Sequence, residues 1–290
     1  MAAQSAVGVM FNTDRMVGDD LVAFGRRAEA LGVDTIWVPE LFGREPFAAS
    51  AYLLSTTTAV RVATGIANVY ARDGVAAAAG ARTLAELSGG RFALGLGVSN
   101  AMLVGARGHG WEPPLAKLAK YLDEVMGAKL ASPAPVDRPR VLVAAHGPKM
   151  VDLVAGRADG ISTYLQTPAH TSTVRAALGP DQELNVTQMC LLCDEPTEAR
   201  RLARKAVAFY IGLDYYQRAW ARQGFEESDW VDGGSDRLVD TLVAWGDADQ
   251  IIARLGEHRD AGATEMVVIP LNPQGGAEPH WPVLEAIIAP

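Results

Sequence analysis

The 290-residue sequence lacks the segments that take a protein into or across a membrane. Its first residues, MAAQSAVGVMFN, have no basic start and no long apolar core, so we expect no secretory signal peptide. No apolar run approaches the roughly 20 residues that span a bilayer. These absences predict a soluble, cytoplasmic protein.

Cysteine is scarce: there are two, Cys190 and Cys193, in the segment QMCLLCD. Their C-x-x-C spacing is that of a redox motif. The leucines between them make the segment equally typical of an apolar strand, in which residues three apart face opposite ways. We favour the strand, and because no second C-x-x-C is present to complete a zinc site, we expect no bound metal.

An excess of positive charge is also missing, since 34 acidic residues outweigh 26 basic ones and the net charge is −8. This balance argues against nucleic acid or an anionic membrane as a partner. The sequence has no H-E-x-x-H, P-loop or G-x-S-x-G motif, so metalloprotease, nucleotide-hydrolase and serine-hydrolase interpretations have no support. With 49% hydrophobic residues, the chain can form a large core around a small-molecule site.

The most informative stretch is Arg61–Asn100, which predicts a strand, a helix and a second strand. Asp73 is a good N-cap for the Ala-rich helix, and Gly89–Gly90 can end that helix in a left-handed conformation. Phe92–Leu96 is almost wholly apolar, which is typical of a parallel strand covered on both faces. The stretch therefore predicts a βαβ unit.

The whole chain repeats this alternation without a linker or a break in composition, which predicts a single domain over residues 1–290. Eight strands separated by helices is the count of an α/β fold of the (β/α)8 TIM-barrel type. The rival, an open doubly wound sheet, calls for a glycine fingerprint after the first strand, and VGVMFNTDRMVGDD lacks one. The predicted strands are Val7–Asn12, Thr35–Pro39, Arg61–Asn68, Phe92–Leu96, Val141–Ala145, Gly160–Leu165, Leu184–Cys193 and Glu265–Pro270. We also predict helices over Asp236–Trp245 and Ala248–Ala261, the second starting at a capping box of Asp247 and Gln250, and a polar loop over Val104–Trp111.

Several motifs resemble one family. They are the run from Thr64 through LAELSGGRFALGLGVS, together with DTIWVPE, AAHGPKM, RADGISTYLQTPAHT and GGSDRLVDTLVAWGDADQI. Together they are similar to the luciferase-like flavin and deazaflavin oxidoreductases, and most to actinobacterial enzymes that depend on coenzyme F420. The resemblance implies a luciferase-like TIM barrel, hydride transfer between F420 and a small organic substrate, and a homodimer. An FMN-dependent monooxygenase is the alternative, and a non-catalytic flavin- or deazaflavin-binding protein is the second alternative.

Candidate site residues lie where the predicted strands end. Glu40, after the second strand, is either a carboxylate at the floor of the site or a surface acid. His109, in RGHGWEPP, either lines the substrate pocket or is an exposed loop histidine. AAHGPKM offers N–H groups at a helix N-terminus, which bind phosphate well. The alternative is an ordinary connection between a strand and a helix that binds no ligand.

The resemblance implies the roles of these residues. It makes Glu40 and His109 the catalytic candidates, and it implies a cis peptide bond between Gly65 and Ile66. The implied cofactor-binding residues are Glu40, Gly65, Ile66, Ala67, Asn68, Gly97, Val98, Ser99, Ala145, His146, Gly147, Pro148, Lys149 and Tyr164.

Two positions depart from the pattern of relatives that oxidise alcohols or sugar phosphates. Those relatives have a histidine directly after the acid of the second strand, where this chain has Leu41. The sugar-phosphate enzymes also have a glutamate in the loop after the fourth strand, where this chain has Asn100. The departures favour a reductase that acts on an activated C=C or C=N bond.

Overall fold

The computed structural model describes residues 6–276 and 278–288, over which strands and helices alternate. The strands are β1 (Ala6–Met10), β2 (Thr35–Val38), β3 (Arg61–Thr64), β4 (Ala67–Asn68), β5 (Phe92–Gly97), β6 (Arg140–Ala144), β7 (Gly160–Tyr164), β8 (Glu183–Leu192), β9 (Val243–Gly246) and β10 (Glu265–Pro270). Their interiors are buried, in keeping with strands that are covered on both faces.

Most helices lie between consecutive strands and begin at a proline or a capping side chain. They are α1 (Gly18–Leu31), α2 (Pro46–Thr56), α3 (Gly74–Ser88), α4 (Ala101–Ala106), α5 (Pro114–Met126), α6 (Pro148–Ala155), α7 (Pro168–Ala177), α8 (Pro196–Ile211), α9 (Asp214–Ala221), α10 (Asp236–Leu242), α11 (Ala248–Asp260) and α12 (Trp281–Ile288). No helix of the described residues has both the length and the apolar character needed to cross a membrane.

The chain forms two compact units. The first unit comprises Met1–Phe11, Thr163–Gly179 and Leu184–Pro290, and the second comprises Asn12–Ser162 and Pro180–Glu183. In the second unit β2, β3, β5, β6 and the start of β7 pair in that order, and β4 adds to β5. In the first unit β1 pairs with β10, β10 with β8, and β8 with β9. Every one of these pairings is parallel. The single domain over residues 1–290 stays a prediction.

The predicted βαβ unit is present. The Asp73 carboxylate accepts a hydrogen bond from the Ala76 N–H and so caps α3, and Gly89 ends this helix with a φ of 66°. The predicted strand Arg61–Asn68 is divided into β3 and β4. The division falls at Gly65 and Ile66, whose peptide bond is cis, as predicted.

The structure corrects the predicted helix over Asp236–Trp245. Its second half, Val243–Gly246, is the parallel strand β9, which pairs with Met189–Leu192 of β8. Valine and tryptophan suit a strand, and the free edge of β8 decides between the two conformations. The capping box of Asp247 and Gln250 then starts α11, as predicted.

A second correction concerns the predicted loop Val104–Trp111. Its first residues belong to the short helix α4, because the Asn100 side chain accepts a hydrogen bond from the Leu103 N–H and caps that helix. The cysteines follow the apolar-strand interpretation. Cys190 is buried within β8, where burial raises the pKa of its thiol, and Cys193 follows the strand; both are free thiols.

Candidate functional site

The carboxylate of Glu40 lies at the centre of the candidate site in the second unit. Glu40 follows β2 by two residues, at the carboxyl end of that strand, and only 4% of its side chain is exposed. Its Oε2 accepts a hydrogen bond of 2.8 Å from the backbone N–H of Asn68, at the end of β4. The carboxylate therefore holds together the ends of two strands that are far apart in sequence.

Two arginines complete the environment of Glu40. Arg72 donates from Nη1 to Oε2 and from Nη2 to Oε1, both at 2.9 Å, in a bidentate pair. Arg107 donates from Nη1 to Oε1 at 3.2 Å, and from Nη2 to the carbonyl oxygen of Leu41. With the Asn68 N–H, the carboxylate accepts four hydrogen bonds, which is about the number that its lone pairs can accept.

Arg72 is held on every side. It also contacts the Glu45 carboxylate at 3.0 Å, and its guanidinium lies 4.8 Å from the centre of the Phe47 ring. Burial by itself lowers the pKa of Arg72, but the hydrogen bonds and the charge of Glu40, with the charge of Glu45, raise that pKa above its ordinary value. Arg72 is therefore a permanent cation that compensates Glu40.

Beside this cluster, β3 and β5 approach each other at two glycines. A side chain on Gly95 would place its Cβ 1.9 Å from the carbonyl oxygen of Thr64. The Thr64 hydroxyl bridges the backbone of Gly95, since it donates to the carbonyl at 2.7 Å and accepts from the N–H at 2.9 Å. A Cβ on Gly97 would lie 2.8 Å from the Ile66 side chain. Backbone atoms therefore form the floor of the candidate site here, and the Ile66 side chain packs against Gly97.

The residues after β5 turn the chain into α4. Val98 and Ser99 are partly buried, and Ser99 has a φ of 60°, which is unusual for a residue other than glycine. Asn100 is 93% buried, with 7% exposed, and caps α4. The position that differs from sugar-phosphate enzymes is thus a helix cap in this chain.

The predicted phosphate segment lies at the start of α6. Ala145 is buried, His146 and Gly147 are partly buried, and Pro148 and Lys149 are exposed. Gly147 is the N-cap residue and makes no side-chain cap. Pro148 has no N–H and the Met150 N–H donates to the Gly147 carbonyl at 2.9 Å, so the Lys149 N–H is the first-turn donor left to another acceptor. The helix start is present at this motif, and the phosphate-binding role of AAHGPKM stays a prediction.

His109 lies in the loop after α4 and is exposed. Its ring centre is 6.4 Å from that of Tyr70, which also stacks on Trp111 at 5.8 Å. The Tyr70 N–H donates to the Asn68 side chain at 3.0 Å, so this aromatic group continues from the end of β4. No hydrogen bond or ion pair joins His109 to Glu40 within residues 6–276 and 278–288.

Tyr164 belongs to the first unit, where it ends β7. Its ring meets those of Tyr210 and Tyr216 edge to face, with centres 5.1 and 6.4 Å away. Burial raises the pKa of Tyr164 well above its ordinary value, and the charge of Tyr210 and the hydrogen bond to it raise that pKa further. At neutral pH its hydroxyl therefore keeps its proton.

The second unit brings part of the predicted set into contact. Glu40 bonds Asn68, Ile66 packs on Gly97, and the Val69 N–H donates to the Gly97 carbonyl at 3.1 Å. Sequence reasoning missed Arg107, because it is 67 residues from Glu40 and nothing in the segment RGHGWEPP indicates its partner. The remaining assignments, including Ala67 and Gly65, stay predictions.

Known proteins resemble this chain over most of its length. A 5,10-methylenetetrahydromethanopterin reductase of Methanolobus tindarius is 25% identical, over 86% of this chain and 90% of the relative. A Mycobacterium tuberculosis protein named as a coenzyme F420-dependent oxidoreductase, Rv3520c, is 28% identical, over 83% and 88%. The solved F420-dependent tetrahydromethanopterin reductase of Methanopyrus kandleri superposes with a TM-score of 0.73 and 15% identity, over 99% of this chain and 98% of that chain.

The structural likeness confirms the fold class predicted from the sequence, a (β/α)8 TIM barrel of the bacterial luciferase type. A profile of the family described as luciferase-like monooxygenase matches residues 1–265, which is most of the sequence. The motifs quoted above, from DTIWVPE to GGSDRLVDTLVAWGDADQI, fall within that range. The chain belongs to the luciferase-like monooxygenase family.

Proposed function

We propose that this protein is an F420-dependent oxidoreductase that transfers a hydride between coenzyme F420 and a small organic substrate, and that it acts as a reductase. The observation that carries the proposal is the similarity to relatives named for F420-dependent or tetrahydromethanopterin chemistry, which extends over more than four-fifths of both chains. When bound, F420 supplies the hydride, so the protein itself has to bind, orient and shield the reactants.

The glycine floor of the second unit fits a flat cofactor ring. Gly97 keeps the carboxyl end of β5 free of side chains, and Ile66 offers an apolar surface directly above it. Backbone groups at Asn68 and Val69 are fixed by hydrogen bonds to Glu40 and Gly97. We infer that Gly65–Asn68 and Gly97–Ser99 hold the deazaflavin ring.

The start of α6 fits the phosphate of the cofactor. Its first turn offers the Lys149 N–H and the positive end of the helix dipole, and the Lys149 side chain adds a charge. We place the phosphate near His146, Gly147, Pro148 and Lys149, after Ala145. Tyr164 stays a predicted cofactor contact from the first unit.

Glu40 acts in this proposal as a positioning residue. Each carboxylate oxygen accepts hydrogen bonds, so a proton could be donated or taken up here only after contacts with arginine were broken. What Glu40 does through Oε2 is fix the Asn68 N–H and, with it, the backbone beneath the ring. The catalytic roles predicted for Glu40 and His109 stay predictions.

The direction of transfer is argued from Leu41 and Asn100. Neither side chain can accept a proton from an alcohol, and the Asn100 side chain is occupied as the cap of α4. Reduction of an activated C=C or C=N bond does not call for a base that removes a proton from an alcohol. We therefore favour the reductive direction.

The test is a fluorescence-quenching titration with F420 and with FMN at matched ionic strength. F420 should bind at micromolar concentration or below, and Gly97→Ala should weaken its binding about tenfold, because the new methyl group displaces Ile66. Gly105→Ala is the matched control, since its added Cβ would meet nothing within 4 Å beyond its own stretch of helix. Tight FMN binding without F420 binding would replace this proposal with the FMN-dependent monooxygenase.

A turnover assay distinguishes the proposed reductase from a non-catalytic binding protein. A panel of unsaturated carbonyl and imine compounds, assayed with reduced F420, should give substrate-dependent oxidation of the cofactor. Binding without turnover on any of them would favour a non-catalytic flavin- or deazaflavin-binding protein. The homodimer and the cytoplasmic location stay predictions, and light scattering of the purified chain tests the first of these.

A further inference from the structure

The two arginines at Glu40 are held differently. Arg72 makes a bidentate pair with Glu40, a second ion pair with Glu45, and lies against the Phe47 ring. Arg107 makes one bond to Glu40, at the longer distance of 3.2 Å, and one to a backbone carbonyl. Its side chain is 25% exposed, against 16% for Arg72. Arg72 is therefore held firmly by Glu40 and its neighbours, whereas Arg107 makes a single, longer hydrogen bond to Glu40.

Arg107 therefore has unused hydrogen-bonding capacity. A guanidinium carries five N–H donors. In the part of the chain that the structure describes, the Arg107 guanidinium makes two hydrogen bonds, one to Glu40 and one to Leu41. If Arg107 turned toward a ligand, Glu40 would keep Arg72 and the Asn68 N–H, so no buried charge would be left without a partner.

The surroundings of Arg107 are apolar and open. Its guanidinium lies 5.8 Å from the centre of the Phe42 ring, which is 61% exposed, and Leu41 beside it is 41% exposed. Exposed apolar side chains at the carboxyl end of a barrel strand, next to a cation with free donors, suit a ligand with an apolar body and an oxygen acceptor.

We propose that Arg107 determines substrate specificity by binding the carbonyl or carboxylate oxygen of an apolar, conjugated substrate, whose body rests on Leu41 and Phe42. The proposal rests on the proposed function, because it names the substrate class of the same site. Arg107 donates to the oxygen conjugated with the bond that is reduced, and so holds that bond in place and draws electron density from it.

Calorimetric titration with three compounds of one carbon skeleton tests this. The probes are trans-cinnamate, its neutral amide cinnamamide, and cinnamyl alcohol, which lacks the carbonyl. In Arg107→Gln, cinnamate or cinnamamide should bind about ten to a hundred times more weakly, since a hydrogen bond to a charged group is lost. Cinnamyl alcohol should be unaffected. A loss confined to cinnamate assigns a carboxylate, and a loss for both assigns a carbonyl.

The control variant is Arg82→Gln. Arg82 also ties down a loop, through the carbonyls of Ser132 and Pro133, but has no contact with Glu40. It should leave all three affinities unchanged. Equal losses for all three probes in Arg107→Gln, unchanged binding, or no binding of the carbonyl probes to the wild type would overturn the inference.

F420 titration of the same variants separates this inference from the proposed function. If Arg107→Gln binds F420 as the wild type does while probe selectivity is lost, both stand. If the wild type binds no F420, the proposed function fails whatever the probes do. If the variant loses F420 affinity but keeps its selectivity among the probes, Arg107 contacts the cofactor and the inference on the substrate is wrong.

Discussion

Two arginine–carboxylate clusters lie at opposite ends of the strands of the second unit. At the carboxyl ends, Glu40 is held by Arg72, Arg107 and the Asn68 N–H. At the amino ends, Asp159 accepts a bidentate pair from Arg138, both bonds at 2.7 Å, and a bond of 2.7 Å from the Val141 N–H. In both clusters, arginine side chains and a backbone N–H donate to the carboxylate. The clusters differ in the segments that each carboxylate holds in place.

Asp159 ties the start of β7 to the start of β6. Near it, Arg140 pairs with Glu183 at 2.8 Å and donates to the Asp159 carbonyl. Glu40 instead ties a loop and the end of β4, where barrel enzymes bind their ligands. The comparison teaches that an arginine–carboxylate cluster has no function by itself: the amino-end cluster should serve stability, and the carboxyl-end cluster should also serve binding.

The largest effect is expected for Glu40→Gln. The change removes the buried counter-charge of Arg72 and Arg107 and leaves Arg72 with the half-exposed Glu45 carboxylate, which should lower the free energy of unfolding by about 3–5 kcal/mol. It also weakens the bond that fixes the Asn68 N–H, so F420 affinity should fall at least about tenfold, or about 1.4 kcal/mol. Urea denaturation and F420 titration of the folded fraction measure the two effects.

Acid should reveal the next largest effect of a single side chain, and it comes from the first unit. Burial, with the charge of Arg254, lowers the pKa of His258 from 6.5 to about 4, and burial with the charge of Arg222 does the same to His170. Because the unfolded chain takes up these protons first, stability should fall from about pH 6.5 to pH 4. The loss is about 3 kcal/mol for each histidine.

His258→Asn tests this expectation, because asparagine does not titrate. The variant keeps one of the two histidine protonations that occur at a pH above the titration of the carboxylates. The variant should lose about half of the wild-type dependence between pH 6.5 and 4, read from urea midpoints at each pH. An unchanged slope would mean that His258 is not titrating as a buried neutral side chain that bonds the Thr171 hydroxyl.

Asp159→Asn should act on stability alone. Burial raises the pKa of Asp159, but the hydrogen bonds from Arg138 and Val141 lower this pKa by more than burial raises it. The pKa of Asp159 therefore lies below its ordinary value of 3.8. The contribution of this carboxylate is therefore complete above pH 3.8 and is lost as the pH falls through the lowered value. At pH 7 we expect a loss of about 2 kcal/mol. A tenfold loss of F420 affinity in this variant would break the comparison.

The smallest effect is expected for Arg138→Gln. The side chain of Arg138 is 63% exposed, so solvent weakens its pair with Asp159, and its loss should cost about 1 kcal/mol or less. Thermal unfolding with and without added salt measures this, since the same salt should reduce the difference between variant and wild type. A larger loss would place Asp159 in a drier environment than its position indicates.

Local sequence was sufficient for many elements of the fold. The Asp73 cap, the left-handed Gly89 and the capping box of Asp247 and Gln250 each act within a few residues, and all three are found. The prediction failed where the local sequence does not decide between two conformations. Val243–Gly246 has no pattern that separates a helix end from a short strand, and it becomes β9 because β8 offers it an edge.

Some residues of the candidate site could be predicted from the sequence and others could not. Its strand ends could be located in advance, because alternating β and α segments place every strand terminus at a known point in the chain. Glu40, Asn68 and Gly97 were identified in this way, with help from a family resemblance. Arg107 was not, since a loop arginine carries no periodicity that would indicate its partner.

The sequence by itself determined most of the alternation of strands and helices and several of the helix caps, because these depend on propensities and on hydrogen bonds between near neighbours. Only the tertiary structure decided that the side chains of Arg72 and Arg107 meet on one carboxylate, 32 and 67 residues away from them. Parallel strands bring distant loops to one edge, and which side chains meet there depends on packing that no short segment contains.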